Sequence, residues 1–224
     1  MDVVTGADWF PLWLSLRVAS LATVLASLVG IAGAYAIARW RFPGRGLLEA
    51  VASLPIVLPP TVLGYYLLVL IGRDSPIGQA WEAVVGRPLV FTWQAAVLAA
   101  AVASLPFCLR SARAAFAAVD RRYEEAARVA GMAEWRVAFS VTLPLAARGV
   151  IAGVTLAFAR ALGDFGTTVM VAGNVPGRTQ TMPIAVYDRV QAFDYATAGL
   201  LAVVLSVVAV TVLLVVRWLE RSAL

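Results

Sequence analysis

Apolar runs long enough to cross a lipid bilayer recur along this chain, and they constrain it more than any other feature. A helix needs about 20 apolar residues to span a hydrocarbon core about 30 Å thick. Runs of that order cover Leu12 to Ala38, Leu47 to Gly72, Thr92 to Leu109, Gly149 to Val171 and Ala196 to Val216. Lipid offers no hydrogen bonds to a backbone, so each run must satisfy its own as a helix. The expected architecture is an all-α polytopic membrane protein with five spans. It has six if a short, partly inserted helix around Thr181 to Val190 is counted. With 62% of the 224 residues hydrophobic, no separate soluble domain is expected, and residues 1–224 read as one transmembrane domain.

Composition narrows the chemistry. All 18 basic residues are arginine, and there is no histidine. Without lysine the chain has no P-loop lysine and no standard ATP site. Without histidine it lacks the commonest general base and metal ligand. An intramembrane enzyme would need a carboxylate pair or serine chemistry, and Asp164 is the one acid deep in a span. Cys108, the single cysteine, reads as a packing residue. The first eleven residues hold Asp2 and Asp8 and no basic residue, unlike the positive start of a secretory signal.

The arginines also orient the chain. Arg39, Arg41, Arg45, Arg110, Arg113, Arg121, Arg122, Arg128, Arg136, Arg148, Arg217 and Arg221 fall on one side of a five-span arrangement. The other side holds Arg73, Arg87, Arg178 and Arg189. The positive-inside rule then predicts an external N-terminus and a cytoplasmic C-terminus. The net charge of +5 follows from those cytoplasmic loops, with no nucleic acid implied. Trp9 and Trp13 at one end of the first span and Trp40 at the other suit interfacial anchors in contact with lipid, and Arg17 lies near the first edge.

Two spans carry the candidates for a substrate pathway. Pro55, Pro59 and Pro60 interrupt the second, followed by Thr61 and Gly64. Mid-span prolines free backbone groups, and a broken span points to a substrate pathway or, equally simply, to a packing kink. In the fourth span Arg160 and Asp164 are four residues apart, on one helical face, roughly 20 Å along from Gly149. An unpaired charge there is costly, so an ion pair is expected. Gly163, Phe165, Gly166, Thr167, Thr168 and, beyond the span, Asn174 complete the candidates for the pathway or its gate. Their hydroxyl, amide and backbone donors suit weak, transient contact with an anion better than a cationic cage would. Packing between helices explains them as well.

The polar stretch from Glu124 to Pro144 lies between two spans and so belongs in water beside the membrane. Helix formers run from Tyr123 to Ala130, with Glu124 four residues before Arg128, and Gly131 is placed to end the helix. A second helical piece is expected from Ala133 to about Ser140, with Pro144 opening the next span. Glu125-Ala126-Ala127, three residues, Gly131, nine residues, then Val141-Thr142-Leu143-Pro144 resembles the EAA loop of ABC importer permeases, with Val141 in place of isoleucine. The resemblance implies the type I ABC importer permease fold, with Glu125, Ala126, Ala127, Gly131, Leu143 and Pro144 in a cytoplasmic coupling helix that docks on an ATPase. An ordinary amphipathic connector is the plainer reading of the same stretch.

Further segments extend the resemblance over nearly the whole chain. Phe42-Pro43-Gly44, the run Leu54 to Leu68, Leu156 to Gly166 and Gly173 to Tyr187 are similar to the permeases of molybdate importers. The related sulfate permeases share the coupling loop. Family members often carry Gly-Glu-Phe-Gly where this chain has Gly163-Asp164-Phe165-Gly166, one methylene shorter. The resemblance implies a homodimer in the cytoplasmic (inner) membrane that carries molybdate, with tungstate or sulfate as alternatives. It implies two cytoplasmic ATP-binding subunits and an external molybdate-binding protein. It implies no cofactor on this chain, with ATP and Mg on the ATPase. A secondary transporter is the competing class, but it needs no coupling loop and usually more ionisable residues within the membrane.

Overall fold

A computed structural model describes residues 9–40 and 42–222. Asp2, Asp8 and Arg41, used above for the N-terminal segment and the charge count, lie outside them. Every regular element among the described residues is helical. α1 is Phe10–Arg39, α2 Arg45–Val57, α3 Pro60–Ile71, α4 Pro76–Val85 and α5 Trp93–Ala118. The polar stretch forms α6, Arg121–Val129, and α7, Glu134–Leu145, which is π-helical over Ala138–Thr142. α8 is Ala147–Leu162, α9 Gly166–Ala172, α10 Met182–Gln191 and α11 Tyr195–Ser222.

Three helices are long and apolar enough to cross a membrane alone: α1, α5 and α11 over Tyr195–Val216. Two bent pairs, α2 with α3 and α7 with α8, bring the candidate spans to five. At ten residues α10 is about 15 Å long, too short to be a sixth crossing.

The core is α1 packed on α5, with α8 laid across both. Its facing residues are small: Ala19 and Ala22 on α1 cluster with Ala96 and Ala100 on α5, and Ala34 with Ala112, all fully buried. Small side chains let backbones approach where the hydrophobic effect cannot drive association. Gly149 and Gly153 of α8 sit against Ala115 and Ser111 of α5, and the Ser111 hydroxyl donates to the Gly149 carbonyl at 2.8 Å. A methyl group at Gly149 would stand 2.5 Å from Ala115 Cβ. By contrast α11 buries only Ala198 and Leu201 among its described residues, and α2 has no buried residue.

Two expected spans are not continuous. The second is two helices meeting at 119°. A residue before proline is driven out of the α region, and Leu58 and Pro59 each precede one; both are extended (ψ 138° and 137°). Pro55, whose lost hydrogen bond stands alone, remains inside α2. The fourth span breaks at Gly163-Asp164-Phe165 into α8 and α9. Pro144 does not open α8 either. It falls inside α7, and the 79° turn comes two residues later at Ala146. Pro144 has no N–H for the Ser140 carbonyl, and the turn before it is wound wider as a π-helix.

Candidate functional site

The corner between α6 and α7 is built by local chemistry. Asp120 caps α6, its carboxylate accepting from the Arg122 N–H at 3.0 Å. At the other end Gly131 takes φ +82°, its N–H donates to the Arg128 carbonyl at 2.9 Å, and the Met132 N–H donates to the Ala127 carbonyl at 3.1 Å. This is a Schellman stop, and it needs a residue that tolerates the left-handed region. Nothing lies within 4 Å of the position a Gly131 side chain would take, so conformation rather than space selects glycine.

Arg128 then clamps the corner. Its guanidinium forms a bidentate pair with Glu134 (2.7 and 3.2 Å) and reaches Glu124 at 3.6 Å. The hydrogen bond from Arg128 holds the exposed Glu134 carboxyl below its ordinary value. Glu124 is itself buried, at 1% exposure. Arg39, at the end of α1, lies 2.7 Å from its Oε1, and the Thr142 hydroxyl donates to the same oxygen at 2.8 Å. The Arg39 Nε–H is not aimed along that short contact, so the attraction is Coulombic rather than a directed hydrogen bond. Arg39 Nη2 donates instead to the Val119 carbonyl at 3.3 Å. Nearby, Arg113 of α5 pairs with Glu49 of α2. The expected Glu124–Arg128 pair is present, but the stronger partners of Glu124 are residues that spacing did not suggest.

With its inner face fixed, the corner presents an outer one. Glu125 and Ala126 are exposed and Ala127 is half-buried. Around them stand Tyr123, Val129 at 90% exposure, Trp135 and Phe139. The Arg136 guanidinium sits 5.1 Å from the Trp135 ring centroid. Leu143 packs against the core at Phe116 and Val150, while Pro144 is exposed. Large apolar side chains gathered on a polar, rigid loop mark a contact surface.

The second group of candidates meets where the two broken spans touch. Pro60 and Gly64 on α3 face Gly166 and Met170 on α9 in parallel register. A methyl group at Gly166 would stand 2.7 Å from Pro60 Cβ, and one at Gly64 would stand 2.6 Å from Met170 Cβ. Asp164 closes the break between α8 and α9. Its Oδ1 pairs with Arg160 at 2.8 Å, and its Oδ2 accepts from the Thr168 N–H at 3.0 Å and the Thr168 hydroxyl at 2.7 Å. One carboxylate thus neutralises an arginine and caps a helix. The Thr168 hydroxyl is committed to Asp164, and the Asn174 amide donates to Asp188 and accepts from Gln180. Thr167 is buried with its hydroxyl unpartnered among the described residues, while Pro59 and Thr61 are exposed. The Phe165 ring packs at a tilt of 44° against Tyr187 of α10, 4.9 Å between centroids. Gly163 lines a shallow apolar cavity of about 190 Å³ between α8 and α11. No cluster of metal-ligating side chains occurs among the described residues.

A bundle of apolar, broken helices long enough to span a membrane, with a rigid, exposed corner, fits the class of membrane transport permeases. The profile of the binding-protein-dependent transport system inner membrane component family matches residues 19–223, and the chain belongs to that family. It is 43% identical over 220 residues to the molybdenum transport system permease protein ModB of Escherichia coli (strain K12), covering 98% of this chain and 96% of that one. The putative molybdenum transport system permease protein YvgM of Bacillus subtilis (strain 168) is 44% identical over 82% of each chain. The sulfate transport system permease protein CysT of Escherichia coli (strain K12) is 33% identical over 90% of this chain and 73% of its own. Among solved structures, the MetNI methionine ABC transporter in an inward-facing conformation superposes with a TM-score of 0.72 at 16% identity, covering 96% of this chain and 94% of that one. That likeness identifies the fold, the expected ABC importer permease arrangement.

Proposed function

We propose that this chain is the permease of an ATP-driven molybdate importer, and that the corner from Arg121 to Pro144 couples it to the ATPase. The exposed cluster of Tyr123, Val129, Trp135 and Phe139 around Glu125 and Ala126 carries the coupling reading. Nothing among the described residues covers it, and an arginine clamp keeps it in one shape. Two cytoplasmic ATP-binding subunits, holding ATP and Mg, are the partners that such a surface on such a fold would take. An external molybdate-binding protein delivers cargo on the opposite side. The unburied faces of α2 and α11 suit lipid or a second copy of the chain, and the assembly is read as a homodimer. The arginine distribution supports the N-terminus outside and the C-terminus in the cytoplasm.

Identity favours molybdate over sulfate: 43% to a molybdenum permease against 33% to a sulfate permease. The test is uptake into liposomes holding the permease, its ATPase and its binding protein. ATP-dependent accumulation of radiolabelled molybdate is expected. Accumulation of sulfate instead would reassign the cargo, and uptake without the ATPase would reject the importer reading.

A further inference from the structure

At the end of the bundle away from the α6–α7 corner lies a cavity of about 270 Å³. Three arginines from three parts of the chain line it: Arg17 on α1, Arg87 in the segment before α5, and Arg178 in the loop before α10. No carboxylate lines it, and none lies within ion-pair distance of these arginines among the described residues. Arg17 is about 33 Å along α1 from Arg39, so this is the opposite side of the membrane from the corner.

The cavity is organised as well as charged. The Arg17 guanidinium lies 3.8 Å from the Trp93 ring centroid and 5.1 Å from that of Trp13. Cation–π contact fixes its plane and leaves its N–H edge free to bond. Thr179, at 2% exposure, accepts from the Val175 N–H at 3.1 Å, and its own proton has no acceptor among the described residues. The Gln94 side chain, also on the wall, holds a buried Oε1 without a partner among the described residues. The amide turned over would aim a donor from that point. Clustered guanidinium donors beside a spare hydroxyl, with no carboxylate among the described residues on the wall, form a receptor for a compact oxyanion.

We propose that this cavity binds a tetrahedral oxyanion. Its source is either the phosphodiester of an anionic phospholipid, since the Trp13 and Trp93 rings stand at the level of an interfacial belt, or a free inorganic oxyanion in the external medium. Both present the same tetrahedron of oxygens to the three arginines. The proposal is independent of the transport reading, because it rests on equilibrium binding to this chain alone.

The full-length chain is purified in lipid-free detergent and titrated calorimetrically with sodium sulfate at constant ionic strength. In parallel it is passed through nanodiscs of phosphatidylglycerol or phosphatidylcholine, and retained lipid is read by native mass spectrometry. Saturable sulfate binding identifies a free-anion site, and selective retention of phosphatidylglycerol identifies a lipid site. In either arm R87Q/R178Q should weaken binding at least tenfold, and R17Q should act in the same direction. Arg87 and Arg178 are exposed and have no ion-pair partner among the described residues, so the double variant should keep the wild-type melting profile. R73Q is the control, because Arg73 is already bound to Glu82 at 2.7 Å. No saturable binding in either arm, or equal binding by the wild type and R87Q/R178Q, overturns the proposal. So does an equal loss with R73Q.

Discussion

Arg39, the last residue of the first long helix, lies 2.7 Å from Glu124, the first buried acid of the α6–α7 corner, across 85 positions of sequence. The pair fastens the corner to the bundle. Both side chains are nearly excluded from solvent (7% and 2% exposed), so removing one leaves the other as an uncompensated buried charge. Such losses typically cost about 3–5 kcal/mol, whereas replacing both partners by apolar residues is often neutral. E124Q should therefore lower the thermal stability of the detergent-purified chain more than E124L/R39M does. A double variant as unstable as the sum of the two single changes would show that the residues do not interact.

Gly131 gives a separable test of the corner. A β-branched residue at φ +82° is strained by about 1–2 kcal/mol, although there is space for its side chain. G131V should insert normally, weaken co-purification with the ATPase, and uncouple ATP hydrolysis from transport. E125K changes only the exposed face and should act on docking without loosening the corner. If both variants assemble and transport at the wild-type rate, the corner is a connector and the coupling assignment fails.

Asp164 has two duties, and its variants should separate them. D164N leaves Arg160 unpaired in the bilayer, at a cost of about 2.5–3.5 kcal/mol on insertion scales. R160Q/D164N removes that charge but keeps a side-chain acceptor for the start of α9. Folded yield, measured by size-exclusion chromatography, should fall with D164N and recover substantially in the double variant. T168V should lower it by a smaller amount, because Asp164 then loses the hydroxyl at 2.7 Å. A double variant no better folded than D164N would exclude the ion pair.

The contact between α3 and α9 predicts intolerance to small additions. In G64A the new methyl would meet Met170 Cβ, an atom that moves only with its helix. Overpacking of this kind costs roughly 1–3 kcal/mol. G64A and G166A should each lower the melting temperature, and G46A should not, because nothing lies within 4 Å of that position. Equal melting of G64A and the wild type would mean that the helices are not held this closely.

Orientation can be read directly. Single cysteines at Asp2 and Arg136 in a C108S background should label from opposite sides of the membrane, with Asp2 reached by an impermeant reagent from outside. Labelling of both from outside would reject the topology.

How much of this was legible follows from the range of each interaction. Gly131 was readable because a Schellman stop is decided within six residues. The break at Pro59-Pro60 was readable because proline acts on its immediate neighbours; its 119° angle was not, because no local residue pattern specifies it. The break at Gly163 was missed because Asp164 stands in an apolar run, and nothing local shows its carboxylate turning to cap Thr168. Glu124 was read as a partner of Arg128, four residues on. Its closer partners Arg39 and Thr142 lie on other elements, and only the fold brings them in. The cavity arginines read separately, Arg87 and Arg178 as loop charges and Arg17 as an edge residue of the first span, since no spacing relates the three positions.

The register of α3 against α9 limits any step between them. Pro60 and Gly64 are one helical turn apart, as are Gly166 and Met170, and each bulky residue faces a glycine. Such a profile has teeth. Sliding by a fraction of a turn drives Pro60 or Met170 into a backbone, so small displacements meet resistance. A shift by a whole turn, about 5.4 Å, would set Pro60 against Met170 or Gly64 against Gly166, so neither tooth would find a gap there. The two broken spans are thus geared together: a push delivered to one is passed on whole, or they part completely, and a graded slip between them is not available.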